Sequence, residues 1–429
     1  MIRKIFSTFT IRFASALLNL LIAIIISQYL GASGKGEQGI ILATIAIIIL
    51  FDNIVGGASV VYLTPRLKFL NIIKASYLWA LFVSITTFTI LYFTNFVASN
   101  HVFPIASLSF LCSLTSINSS ILIGKEEINK SNALNFIIPF ITICVLFISF
   151  TFDISKSVNT YISALYIAYG GSFILSFFFL KKEFLNRNNT HLTESFSKAL
   201  SMLFKYGAQN QMSHIFQLLS FRLSYYILEY YWDKAHVGVY SNGVSIIESV
   251  WMISSSITLY QYSRIVNTSD NKYAVGLTEM LTKYGILIAF IAILPIVMLP
   301  SCVYTWIFGS EFSQLNKLII LLAPGVWIFN YALIIGHYFS GIGKYYINTI
   351  ASAVGLLVTV PLLLLLVPHY HIYGAAAVAS ISYFCTSVVV LIYFKKHGGK
   401  AILIPGIHEF KTIQKQILKI LKKTSNEQS

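Results

Sequence analysis

The chain predicts an all-α integral membrane protein of twelve transmembrane helices in two six-helix lobes, with both termini cytoplasmic. Three observations carry that expectation. Of 429 residues, 56% are hydrophobic and only 10% are charged, whereas a soluble domain is about a quarter charged. Apolar segments of membrane-crossing length recur along the whole chain, and their continuity selects helices over a barrel. The 30 Lys and Arg fall almost entirely in the N-terminal region, in alternate loops and in the C-terminal tail. Only Lys35, Lys156, Lys234 and Lys317 occupy the opposite loops, and Arg222 lies within a span. That asymmetry is the positive-inside pattern. It accounts for the net charge of +15 without any nucleic-acid partner.

The spans are placed at about 7–30, 38–63, 77–97, 102–123, 132–152, 159–180, 205–228, 237–260, 284–307, 316–340, 347–367 and 371–394. The first follows Arg3 and Lys4 as a signal peptide would, but it is too long and runs at once into another span, so it reads as an uncleaved anchor. It sets Arg12, Ser15 and Asn19 on one face. Leu30 to Gly39 is glycine-rich around Lys35; no strand precedes it and Gly36 stands where a phosphate loop needs Ser or Thr, so it is a tight interhelical turn. The second span carries Asp52 near its middle, too deep to reach the bilayer surface easily. Spans three to six are plainer, with Pro104 and Pro139 as kinks or helix starts.

From Lys181 to Lys205 the composition turns polar, which divides the chain into an N-terminal lobe (1–181), a cytoplasmic linker (182–204), a C-terminal lobe (205–394) and a basic tail (395–429). The turn after the first span and the turn after the seventh occupy matching places. Six spans per lobe would make the lobes parallel repeats about an axis along the membrane normal, with substrate between them.

The seventh span concentrates the polar chemistry. Gln209, Asn210, Gln211, His214, Gln217 and Arg222 punctuate an apolar helix, and Asn210, Gln211, His214, Gln217 and Arg222 fall within an arc of roughly 140°. The eighth span carries Glu248. A charge at mid-membrane costs roughly 2.5–3.5 kcal/mol even on the mildest scale, so this face looks into protein or a watery cavity. Arg222 and Glu248 lie within about one helical turn of the same depth. The face reads as cavity lining; the alternative is an internal Arg222–Glu248 pair that only staples two helices. In the tail, Phe410, Ile413, Ile417, Leu418 and Leu421 recur at helical spacing opposite Lys411, Lys415, Lys419, Lys422 and Lys423, the pattern of an interfacial helix on anionic membrane lipid, with a partner protein as the alternative. Cys112, Cys144, Cys302 and Cys385 stand singly and read as packing residues.

The order of weak motifs is familiar. Tyr225-Tyr226-Ile227-Leu228-Glu229 leading to Val237-Gly238-Val239-Tyr240-Ser241, then Gly341-Ile342-Gly343-Lys344, then Ile372-Tyr373-Gly374-Ala375-Ala376-Ala377, resembles the bacterial polysaccharide-export flippases (Wzx type, O-antigen or repeat-unit translocases) of the MATE-like MOP superfamily. The resemblance covers essentially the whole chain. It implies a V-shaped, two-lobed transporter that carries an undecaprenyl-pyrophosphate-linked oligosaccharide across the cytoplasmic membrane by alternating access. It implies no cofactor, an ion gradient of sodium or protons instead of ATP, and an association with other polysaccharide-assembly proteins. It transfers no single functional residue. The candidate cavity residues therefore come from the chain itself: Arg12, Asn19, Asp52, Asn210, Gln211, His214, Gln217, Arg222 and Glu248. Arginines suit a diphosphate, amides suit sugar hydroxyls, and the two acids suit charge balance or a coupling cation.

Three other functions fit the chain less well. An exporter of cationic amphiphiles would favour acids and aromatics without a buried arginine. A membrane-embedded polymerase or ligase generally needs a sizeable outer loop, and no outer loop here much exceeds about ten residues. A scaffold leaves Asp52, Arg222 and Glu248 without a reason.

Overall fold

A computed structural model describes residues 2–94, 96–185, 195–268 and 270–400, with side chains from residue 10 onward other than those of residues 12, 185, 209, 210, 259 and 263. The side chains of Arg12, Gln209 and Asn210, the centre of the expected linker, and the expected amphipathic tail helix lie outside the described residues.

Among the described residues the chain is helical throughout: α1 (Ile2–Gly56), α2 (Ala58–Leu63), α3 (Phe69–Thr94), α4 (Ser99–Gly124), α5 (Ile128–Thr151), α6 (Val158–Leu185), α7 (Phe196–Tyr231), α8 (Lys234–Glu248), α9 (Trp251–Val266), α10 (Asn271–Met298), α11 (Ser301–Phe308), α12 (Leu315–Gly341) and α13 (Tyr345–Lys396). Eight of these helices are long and apolar enough to cross a membrane. The outer faces of α3 and α6 expose Leu78, Phe82, Ile85, Phe93, Ile174 and Phe178, a quantity of bare hydrocarbon that water would not tolerate and lipid does.

Two of the eight double back on themselves. On α1, Asn242 of α8 donates to Ser27 Oγ at 2.7 Å, while Gly39 packs on Ser241. On a straight helix, residues 27 and 39 would stand about 18 Å apart; they meet the same turn of α8 because the chain reverses at Gly31, with φ 66° and ψ −169°. Only glycine adopts such a conformation cheaply. The expected ten-residue turn is thus a one-residue hinge. Ala32 already begins the next helix, and its N–H is capped by Glu311 Oε2 at 2.6 Å. On α13 the reversal is at His371, φ 52°: Ser382 Oγ donates to Gly355 O at 3.1 Å across the two limbs. Ser220 of α7 joins Thr359 and Ser382 at 2.8 and 2.9 Å. The His371 ring stacks on Trp232 at 3.4 Å between centroids, and the Trp232 indole donates to Val367 O at 3.0 Å. A side chain at positive φ is held there by this packing.

Three other boundaries differ from expectation. The second limb of α1 is interrupted at Gly56–Gly57, before α2. The expected span 237–260 is two helices, and the expected span 284–307 is α10 followed by a break at Leu299–Pro300 and the short α11. Proline accounts for the last of these. Pro104 and Pro139 leave α4 and α5 continuous.

The main apolar core runs without interruption from Ile26 and Ile41 of α1 through Val237 and Tyr240 of α8 to Leu318 of α12 and Ala375 of α13. What joins α1 to α8 is backbone. A Cβ on Gly36 would lie 1.7 Å from Lys234 O, and one on Gly238 would lie 1.9 Å from Ala32 O. The two contacts are reciprocal and the same sequence separation relates both, as a local two-fold axis requires. Small residues at a helix crossing permit this approach in membranes, and Cα–H to carbonyl contacts follow from it.

Gly36→Val and Gly238→Val are each expected to pry this joint open. In a background free of native cysteines, a reporter at Ser241, buried at 2% exposure, should then react with maleimide about tenfold faster or more. Unchanged labelling would show that the joint does not hold the helices together.

Candidate functional site

At the joint the chain places a charged clasp that sequence reasoning missed. Glu37, on the first turns after the Gly31 hinge, accepts from Lys234 Nζ at 2.9 Å and lies 2.5 Å from His101 Nε2 of α4. Lys234 opens α8, whose N-cap is Asp233, accepting from the His236 N–H at 2.9 Å. The Asp233 carboxyl is held below the ordinary aspartate range: partial burial raises it, and the backbone N–H and ring of His236 outweigh that. Beside the clasp, Lys35 is buried and donates to Gln38 Oε1 at 2.6 Å, so the expected loop lysine is an internal one. The void left between Glu37, His101, Glu229 and Lys234 is ≈ 10 Å³, room for one water at most. This end of the molecule is shut.

Away from the joint, α7 and α8 carry the ionic pair inward. Arg222 Nη2 lies 3.3 Å from Glu248 Oε2, and its Nη1 lies 3.4 Å from the Tyr225 hydroxyl. The Tyr383 hydroxyl of α13 donates to Glu248 Oε1 at 2.7 Å. Tyr383 is itself fixed among Phe221, Trp251 and Phe329, with ring centroids 4.8, 5.4 and 5.2 Å away. Glu248 is the last residue of α8. Beyond it the backbone tightens: Val250 N–H reaches Ile247 O and Met252 N–H reaches Ser249 O, three-residue bonds that part α8 from α9. Such a tightening within a span often marks a hinge. The pair is formed and stays partly open, with 23% of the Arg222 side chain exposed and 11% of Glu248.

The other expected residues are dispersed. Asp52 is buried at 2% and held by the Ser113 hydroxyl of α4; its Oδ1 has no hydrogen-bond partner. It faces no arginine among the described ion pairs, so it balances Arg222 by no direct contact. Gln211 is buried, Gln217 half-buried and His214 exposed. The broad polar face of α7 is therefore divided between packing and open space. Asn19 is exposed on the first limb of α1, in a cleft shared with α5. Arg12 lies on α1 about two turns earlier. Tyr383, like Glu37, His101 and Lys234, carries no motif. The available signal was that so few charges sit in the opposite loops that each had to be engaged.

The chain is thus a helical, multi-pass membrane protein with a clasped glycine joint at one end and a partly exposed ionic pair in its interior. No protein-family model matches the chain. Lipid II flippase MurJ, in an inward closed conformation, is similar in structure with a TM-score of 0.72 at 17% identity, over 91% of this chain and 87% of that one. An inward-facing multidrug-resistance MATE family transporter of the MOP superfamily matches with a TM-score of 0.67 at 14% identity, over 89% and 94%. The chain thus shares the fold of these two solved proteins. In sequence, the capsular polysaccharide biosynthesis protein CapF of Staphylococcus aureus is 22% identical over 173 residues, a match that spans 40% of this chain and less than half, 44%, of that protein.

Removing one partner of the ionic pair, by Arg222→Met or Glu248→Met, should lower the thermal unfolding midpoint. A fully buried pair would lose about 3–5 kcal/mol, and the partial exposure of Arg222 reduces that. The double substitution Arg222→Met/Glu248→Met should recover most of the loss. A double variant as unstable as the sum of the singles would rule out the pairing.

Proposed function

We propose that the protein is a flippase that moves an undecaprenyl-pyrophosphate-linked oligosaccharide across the bacterial cytoplasmic membrane by alternating access. The observation that carries this reading is the clasped glycine joint at one end of a bundle that holds the Arg222–Glu248 pair, partly exposed, in its interior. Twelve crossings follow if the two limbs of α1 and of α13 are counted separately, α8 and α9 together, and α7 is included despite its polarity. The charge pattern puts both termini in the cytoplasm and the joint on the outer side, so the conformation is inward-facing, between lobes at 1–181 and 205–394. The named roles of a lipid II flippase and a capsular polysaccharide protein among the similar proteins support a lipid-linked sugar cargo.

The chemistry is coherent. A diphosphate offers the Arg222 guanidinium a bidentate partner of greater charge than Glu248. Its arrival would draw Arg222 away and leave Glu248 and the Tyr383 hydroxyl to bind a proton or sodium ion. Cargo and cation would then favour different states, and only such a difference can bias the cycle. An exporter of amphiphilic cations on the same fold would have no use for Arg222.

Lipid-linked oligosaccharides extracted from cells lacking the protein test the reading. Complete single repeat units are expected to accumulate on the cytoplasmic leaflet. An unchanged lipid pool would overturn the flippase reading, and single units accumulating on the outer leaflet would indicate a polymerase instead.

A further inference from the structure

Four titratable side chains from four helices meet at the shut end: Glu37 of α1, His101 of α4, Glu229 of α7 and Lys234 of α8 line one void of ≈ 10 Å³. Glu37 and His101 belong to the first half of the chain, Glu229 and Lys234 to the second. Glu37 takes both ion pairs, its Oε1 2.5 Å from His101 Nε2 and its Oε2 2.9 Å from Lys234 Nζ. Glu229 is half-buried, and its carboxylate interacts through charge with Lys234, Glu37 and His101. His101 is 4% exposed, and its Nδ1 is buried without a hydrogen-bond partner among the described residues. No contact fixes that nitrogen in one protonation state. The neighbouring groups turn elsewhere. Lys35, two residues from Glu37 and so on the far side of the helix, donates to Gln38. Asp233 pairs with His236 and Lys156 with Asp153, Glu311 caps Ala32, and the Tyr226 hydroxyl joins Thr44.

The charges of the cluster do not balance. Two carboxylates face one ammonium, so with a neutral imidazole there is one negative charge in excess, in a space that admits one water at most. Excess charge held away from water is costly and is relieved by taking up a proton. We infer that the clasp is a proton-binding latch: shutting this end takes one proton into the cluster, on His101 or Glu229, and opening returns it to the same side. Opening parts the two halves of the chain, so that Glu37 stays with His101 and Glu229 with Lys234, each pair in water that screens it. In water an imidazole yields its proton near about pH 6.5 and a carboxyl near about 4.3. The shut end therefore binds more protons than the open one. Above about pH 6.5 the ratio of shut to open falls as pH rises, by up to about tenfold per unit; below it both forms are protonated and the ratio levels off. The inference rests on the flippase reading for the opening of this end and for its place on the outer side. Acid outside then holds the carrier facing the cytoplasm, and no proton need cross the membrane.

The test uses the full chain in nanodiscs of phosphatidylethanolamine and phosphatidylglycerol. Spin labels sit on native Cys302 and on Ser155→Cys, exposed positions from opposite halves of the chain, with the three other cysteines replaced. Dipolar spectroscopy on samples frozen between about pH 5 and 8, the range in which imidazole titrates, reads the shut and open populations as a short and a long distance. In the otherwise wild-type chain the ratio of shut to open should fall about tenfold or more from about pH 6.5 to 8. Glu229→Gln removes the excess charge and keeps both ion pairs of Glu37, and its ratio should stay within about twofold. Gly36→Ala, which loosens the joint, carries the same series if the starting chain is shut throughout. A level ratio with both distances present, or an equal fall in Glu229→Gln, would overturn the latch and leave the flippase reading standing. A single distance at every pH in both backgrounds would overturn the latch and alternating access together.

Discussion

Two helices from opposite halves of the chain approach until backbone meets backbone, and the rest of the architecture depends on that approach. It requires residues 36 and 238 to lack a side chain, because any Cβ there would overlap a carbonyl. The contact brings Glu37 within reach of Lys234 and His101, closing one end. Farther along α7 and α8, Arg222 and Glu248 stand partly exposed. Hydrocarbon forbids such groups on the outside, so they are carried in the interior of an otherwise apolar bundle.

Within that interior the energetic demands differ from place to place. Glu248 has two partners, a guanidinium and a tyrosine hydroxyl held by three aromatic rings. Asp52 has one, a serine, and an unpartnered oxygen. A carboxylate satisfied on both sides defines a geometry; one satisfied on a single side retains a preference for some further donor or cation. The two acids, similar in sequence as lone charges in apolar spans, therefore stand in different chemical circumstances.

How much of this was legible in the sequence follows from how far each determinant lies along the chain. Apolar runs announced the eight long apolar helices, and depth arithmetic from the shared turn brought Arg222 and Glu248 together, as the structure has them. The glycine-rich stretch announced a reversal but not its sharpness, because Ala32 is capped by Glu311, remote in sequence. The break between α8 and α9 has neither proline nor glycine to mark it; packing of Trp251 against Phe221, Phe329 and Tyr383 surrounds it. The clasp joins residues 64 and 197 positions apart. Local patterning reports what a segment is, and leaves unsaid what it faces.

The stacking of His371 on Trp232 has a mechanical consequence. Trp232 belongs to the turn between α7 and α8, beside the joint, and His371 heads the limb of α13 that carries Tyr383 roughly three turns away. A single stiff rod therefore connects the shut end of the molecule to the carboxylate in its interior. A displacement of Tyr383 would therefore be carried along one helix to the His371–Trp232 stack, where the chain already sits at positive φ.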